Sequence, residues 1–468
     1  MHIRVLPSDI HIIILQHLSV RDLAALAQVC TYLHALVDEF GWKTHLRLNS
    51  RPSYSLSKSF MTWSPRAQVS YNTITDRQWM APHFVARPLA HRWTGKLQPL
   101  LAINSSRLFV AAGNTIHSYL FIQSDDPAMA PGIQYECAYN TSSRLQANQD
   151  ITSLACIPDG GFDRTLYIGY AHGALDRITL PRCKSNAESP ILINPSLRDR
   201  QFYHGDNLVE SLSSSDNYLL SISSNVTQLG NTPLHQRLHS LRRTRHLLLE
   251  AAHRARYPPF RHRPHASAVL AFAKSDESVH PRLSAVYGIS GAPPNAPWGA
   301  SEQIVVSGWY DGVVRVHDLR AGAHAPASGP GPAPAPAPLR PVLTLCDPWL
   351  FEPIYDVSCG GGAGCHIAAG TARHSVVAFW DVRAASRGWS VHAPGNDSSP
   401  VYSVILESSR LFGATQSRPF VFDFGPNVSE ATYPPLPRNH REDGLKRRDS
   451  TGVGFYVTRY GHCRSREY

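Results

Sequence analysis

Apolar side chains recur at two different periods along this chain, and the change of period divides it. Over residues 6–48 they return every three or four positions, as on helices; further along they come in short alternating runs bounded by turn residues, as on strands. Ile10, Ile13, Ile14 and Leu18 fall on one face of a first helix, with Pro7 in its first turn, where a missing N–H costs nothing. The run Ile12-Ile13-Ile14-Leu15 wraps the whole circumference at about 100° per residue, and a helix apolar all round must be covered all round. Ser19-Val20-Arg21-Asp22 reads as a capping pair that starts a second helix, with Leu23, Leu26 and Ala27 on its inner face. Val29, Leu33, Leu36 and Val37 give a third helix its face, and Trp42 and Leu46 follow. Three such helices bury little surface by themselves, since chains near roughly 40 residues are marginal folders. Their surplus apolar surface has two possible destinations, the rest of this chain or a partner protein.

The strand-like part repeats one phrase. Ile151-Thr-Ser-Leu-Ala-Cys leads into Arg164-Thr-Leu-Tyr-Ile-Gly-Tyr and Gly173-Ala-Leu-Asp-Arg-Ile-Thr-Leu, and comparable sets begin at Leu100, Gln303, Ile354 and Val401. Gly169-Tyr-Ala-His-Gly173 overlays Gly308-Trp-Tyr-Asp-Gly312, and His317-Asp318, Trp380-Asp381 and Phe422-Asp423 fall at one place in the repeat. A small-residue strand, a tight turn and a strand ending in aromatic-Asp form the core of a four-stranded blade. This pattern resembles WD-repeat β-propellers, in which each sheet packs on the next. Only Trp380-Asp381 is a literal Trp-Asp pair, and Gly461-His462 lies outside any repeat. Five repeats are clear. A sixth is expected at Val209-Glu-Ser-Leu through Tyr218-Leu-Leu-Ser-Ile-Ser-Ser. A seventh is expected at Ala268-Val-Leu-Ala-Phe with Leu283-Ser-Ala-Val-Tyr-Gly-Ile, so a closed ring of six or seven blades is anticipated.

The first stretch resembles an F-box. Leu6-Pro7 with Asp9-Ile10, Leu15, Leu18-Ser19, Arg21-Asp22-Leu23, Leu26-Ala27, Val29-Cys30 and Trp42 match that motif in register, whereas His34 and Ala35 stand where the family more often has an aromatic and a basic residue. The resemblance implies binding to the Skp adaptor of Skp–cullin–F-box ubiquitin ligases, and through it to a cullin. Leu6, Pro7, Ile10, Ile14, Leu15, Leu18, Leu23, Val29 and Cys30 would form or support that surface. The expected fold is therefore an α+β multidomain chain. It has a three-helix F-box over residues 1–50, a linker over 51–92, and an all-β WD-repeat-like propeller over 93–468 with insertions at 235–265, 321–341 and 433–451.

Composition adjusts this picture little. The 468 residues are 43% hydrophobic, enough for a large core, and a formal net charge of +10 favours acidic partners without bearing on fold. Eight scattered cysteines imply reduced thiols in an intracellular compartment, cytoplasm or nucleus, and not a disulfide framework. No signal peptide is expected, because Asp9, His11, Gln16 and His17 interrupt the first apolar run. No run nears the roughly 18 residues of a membrane span. The 24 histidines are expected on the surface.

The strongest charge feature is the Arg-rich insertion, where Arg242, Arg243 and Arg245 could contact phosphate or another anion. A solvated surface helix is the plainer reading, and nucleic acid is not the expected partner. Gly360-Gly-Gly-Ala-Gly364 lacks the Lys-Ser/Thr of a phosphate loop and reads as a flexible hairpin tip. Cys359 and Cys365 lack the second pair of a zinc site, and His235-x-x-x-His239 lacks the glutamate of a zinc-protease helix. Asp311, Asp318, Asp381 and Asp423 recur at repeat positions and are assigned to turns. No cofactor, metal or catalytic constellation is expected. The reading is a non-enzymatic substrate receptor of a ubiquitin ligase whose propeller holds a target protein. The alternative is a propeller scaffold that directs no degradation.

Overall fold

The computed structural model describes residues 6–143, 146–183, 190–205, 207–215, 218–223, 227–231, 284–322, 339–395, 398–436 and 444–463. The chain opens with α1 (Ser8–Leu15) and α2 (Val20–Leu26). The Pro7 carbonyl accepts the N–H groups of Ile10 and His11, so this proline caps α1 from one position ahead of its first turn. Ser19 and Asp22 close a reciprocal capping box at the start of α2, as their spacing predicts. α3 (Thr31–Leu36) runs through a wide π turn at Val37–Gly41 into α4 (Trp42–Leu48). Leu15, Leu23, Leu36, Val37 and Trp42 make a small shared core.

The expected linker is folded. Residues Ser57–Thr62 form α5 and Pro65–Met80 form α6, which starts on Ser64 as its cap with Pro65 behind it. Three places along α6 enter three different cores. Val69 joins the core of α1–α4, Tyr71 packs with Phe60 and Trp63, and Trp79 enters the propeller. Asn72 and Thr75 are buried between them, so no apolar period announces the helix. The chain then enters the propeller at once, through β1 (Val85–Pro88).

β2 (Leu100–Ile103), β3 (Arg107–Ala112), β4 (Thr115–Ile122) and β5 (Gly132–Asn140) form one sheet. β6 (Ile151–Ile157), β7 (Thr165–Tyr170) and β8 (Ala174–Thr179) begin the next. β9 (Ile191–Leu192) returns parallel to β5, and β10 (Arg198–Tyr203) completes the second sheet outside β8. β11 (Val209–Ser215), β12 (Tyr218–Ser223) and β13 (Thr227–Asn231) form a third. β14 (Val286–Gly291), β15 (Ile304–Trp309), β16 (Val313–Asp318) and β17 (Leu343–Cys346) form a fourth. β18 (Ile354–Gly360), β19 (His366–Thr371), β20 (Val376–Asp381) and β21 (Trp389–His392) form a fifth. β22 (Val401–Leu406), β23 (Arg410–Thr415) and β24 (Pro419–Asp423) take β1 as their outer strand, which ties the start of the propeller to its last blade. β25 (Arg459–Gly461) adds a fifth strand outside β21.

The first strands of successive sheets lie against one another, from β11 through β6, β2, β22 and β18 to β14, and so line the axis. The second strand of each four- or five-stranded sheet is buried at all six positions, because both of its faces meet a neighbouring sheet. Five complete blades and one three-stranded sheet are described, against an expectation of six or seven. The expected sixth repeat is the β11–β12 pair. Of the expected seventh, residues 268–272 lie outside the described residues. Val286–Gly291 belongs to the blade of Ile304, from which residues 292–303 separate it in place of a tight turn. The C-terminal strand falls at Arg459–Gly461, and Val453 and Phe455 ahead of it are buried.

Candidate functional site

The apolar surplus of α1–α4 is real, and it is divided. Leu15 and Leu23 are buried supports beneath the surface, while Leu6, Ile14, Leu18 and Cys30 are half-buried. Pro7 and Ile10 are exposed, and Val29 is 61% exposed. Ile13, at 53%, and Tyr32 also face solvent and were missing from the expected set. α1 and α3 meet through the Tyr32 hydroxyl, which lies 3.3 Å from His11 Nδ1 and 3.4 Å from Ser8 Oγ. The spacing of Ile13 from Ile10 could have nominated it; Tyr32 needed the tertiary contact. His34 sits on the outer side, with Nδ1 3.0 Å from the Ala27 carbonyl and Nε2 3.2 Å from Asp38.

α5 and α6 show the opposite behaviour. Trp79 stacks on Phe424 with ring centroids 3.8 Å apart and donates its indole N–H to the Ser408 carbonyl at 2.9 Å. It rests on Gly361 and Gly362, where a Cβ would stand 3.1 Å from the indole; both glycines have positive φ. The glycine run is thus not a flexible tip but a seat, closed by N–H groups of Gly361 and Gly362 donated to the carbonyls of Glu407 and Ser408. Beside it the Ser55 N–H and hydroxyl both donate to the buried Glu407 carboxylate, and burial pushes that carboxyl above its usual range. Ser408 donates its N–H to the Pro52 carbonyl at 2.7 Å, and Arg51 grips Asp76 with both nitrogens. Asn295 joins the Ser50 and Ala363 carbonyls. On the far side of the joint, Trp63 donates to the Ser124 carbonyl at 2.7 Å. Beneath lies a wholly buried pair, Arg410 and Asp423 at 2.8 Å, with Tyr433 donating to the same carboxylate. Burial alone would lower the arginine, but Asp423 outweighs it and holds the guanidinium charged.

The repeated aspartates have the structural roles expected of them. Asp318, Asp381 and Asp423 each accept the N–H two residues on, and Asp311 holds Arg315. Histidine proves less superficial than expected: His11, His204, His317, His366 and His462 are buried. Cys365 donates to the Asn295 carbonyl, and burial pushes the Cys359 thiol up to about 12. Among the described residues no three His, Cys, Asp or Glu side chains are grouped to hold a metal, and no helix is long and apolar enough to cross a membrane. Arg242, Arg243, Arg245 and the whole 235–265 insertion lie outside the described residues, as do 323–338 and 437–443 of the other two.

A family model described as F-box-like matches residues 3–47. Among solved structures the chain is similar to the WD40 β-propeller domain of Doa1, at 11% identity and a TM-score of 0.38, over 73% of this chain and 97% of that one. No curated protein matches. The chain thus carries an F-box-like domain at its N-terminal end, followed by a β-propeller.

Proposed function

We propose that this F-box-like propeller protein is the substrate-recognition subunit of a Skp–cullin–F-box ubiquitin ligase. The observation that carries the reading is the uncovered apolar face made by Ile10, Ile13, Val29 and Tyr32 on a module whose other side is fixed to the propeller. A face of this kind fits a helical partner, here a Skp-type adaptor. In this reading the chain does no bond chemistry. Its gain is effective concentration: α6 holds a propeller-bound target at a set distance from a ubiquitin-charged conjugating enzyme.

The test is co-purification of the full chain with a Skp-type adaptor, followed by ubiquitin transfer to proteins captured on the propeller. The adaptor should bind the native chain, and Ile10→Asp with Val29→Asp should abolish binding. Binding that survives the double substitution refutes the adaptor surface. Adaptor binding without transfer to any captured protein favours the non-degradative scaffold instead.

A further inference from the structure

The axial strands have two unlike ends. β18 and β22 finish at Gly360–Gly362 and Leu406–Ser408, the turns that seat α6, and they begin at Tyr355 and Tyr402 on the opposite side of the ring. Five of the six axial strands slip register at their second residue: Thr152 in β6, Glu210 in β11, Tyr287 in β14, Tyr355 in β18 and Tyr402 in β22. A bulge re-aims the residue it inserts. Here three of the five are tyrosines, and their rings meet from blade to blade, 5.6 Å from Tyr287 to Tyr355 and 5.0 Å from Tyr355 to Tyr402. Tyr310, on the turn after β15, extends the arc at 6.0 Å from Tyr287. Tyr287 and Tyr310 are each more than half exposed.

Charge selects the occupant. The protein carries a formal +10, yet the six described axial strands contain no lysine, arginine or histidine; their charged residues are the acids Glu210, which is exposed, and Asp356, which is bonded to Ser403 and Val404 of β22. Glu352, just before β18, adds a third carboxylate. One of its oxygens lies 3.4 Å from His374, and the other, buried, has no hydrogen-bond partner among the described residues. Among the described cations on this side, His172, Arg373 and His374 lie on turns between second and third strands, Arg418 is buried on the turn before β24, and Arg315 is buried within β16 and bound to Asp311. Tyrosine faces attract cations, and carboxylates beside them add to that attraction. The arc is roughly 16 Å long, enough for about five residues of extended chain.

We propose that this tyrosine arc at the axial mouth binds an extended basic peptide, with lysine or arginine side chains against the rings of Tyr287, Tyr310, Tyr355 and Tyr402. The inference deepens the substrate-receptor reading by naming the chemical class of the target segment, and it is tested without the adaptor.

The full chain is titrated into fluorescein-labelled octapeptides bearing four lysines and arginines, their glutamate counterparts and a phosphoserine counterpart, with anisotropy as the readout. The basic peptide should bind and the acidic ones should not. Tyr287→Ala with Tyr310→Ala should weaken binding at least about tenfold, and the matching Phe substitutions should restore most of it. No binding of the basic peptide, equal binding to the Ala variant, or tighter binding of the phosphoserine peptide overturns the proposal. All these variants should keep the adaptor. A chain that binds peptide but no adaptor leaves this site standing while the ligase reading falls, and the converse result does the opposite.

Discussion

Two helical regions precede the ring, and they treat their apolar side chains in opposite ways. α1–α4 bury one side and leave Ile10, Ile13, Val29 and Tyr32 in solvent. α5, α6 and the turn between them leave Met61 and Met80 in solvent but bury their large aromatic anchors, with Trp63, Tyr71 and Trp79 each below 5% exposure. Yet the first region has the stronger apolar period and the second almost none. Periodicity therefore reports that a surface will be covered, not by whom. What separates the two is the number of fixed hydrogen bonds to the propeller. α6 and the chain before it hydrogen-bond to the turns at Ser124, Asn295 and Glu407–Ser408, whereas α1–α3 make no such bond among the described residues. The surface that meets the chain's own propeller is locked by polar contacts; the one left in solvent is apolar.

The largest effect that would break this contrast is Trp79→Ala. It removes the stack on Phe424 and the bond to Ser408, and should cost about 3–5 kcal/mol in urea unfolding of the full chain. A loss below about 1 kcal/mol would mean that α6 is not what fixes the module. Next, Ile10→Asp with Val29→Asp should lower adaptor affinity by about a hundredfold or more, seen by calorimetry. The melting transition should barely move, since exposed sites seldom change stability by more than about 0.5 kcal/mol each. A large thermal shift would show that these residues belong to the fold. Gly362→Ala should cost about 1–2 kcal/mol, because φ is +52° and the new methyl meets Trp79 at 3.1 Å; circular-dichroism melts compare it with native protein.

The smallest effect is one of pH. Burial lifts the Asp356 carboxyl to about 6, against the hydrogen bonds it accepts from Val404, Ser403 and Val357. The folded chain then holds this proton more tightly than the unfolded one. The group's contribution to stability is complete below its usual pKa of 3.8 and is lost as pH rises through about 6. Urea midpoints of the native protein should carry this decline between pH 4 and 6.5, and Asp356→Asn should be flatter over the same interval.

Much of the fold was legible because its signals are local. The capping box at Ser19 and Asp22, the helical faces around Leu15 and Leu23, and the repeated strand pairs all announce themselves within a dozen residues. What stayed hidden depends on distant partners. α6 changes partner three times along its length, and its buried face includes the polar Asn72 and Thr75, so its apolar residues alone do not trace that face. The Gly360–Gly364 run is interpretable only once an indole from far upstream is seen resting on it. The Leu283–Ile289 stretch reads as half of a seventh repeat with residues 268–272 because an unusually long connection separates β14 from β15. Of the expected adaptor surface, Ile10 and Val29 stand exposed, while Leu15 and Leu23 stabilise the module from within. The tyrosine arc is unreadable from the sequence alone, since its rings come from three blades and three of the four are aimed by bulges that leave no local mark.

The pairing of β1 with β24 has a consequence for synthesis. β1 emerges from the ribosome early, directly behind α6, and must wait for nearly the whole of the rest of the chain before its partner appears. Throughout that interval Trp79 has neither Phe424 nor Ser408 to meet, while the first four helices can already associate among themselves. A nascent or prematurely terminated chain would therefore offer its amino-terminal face to other proteins before it possessed a finished ring, and would depend on chaperones to keep the unpaired strand and indole from joining the wrong neighbours.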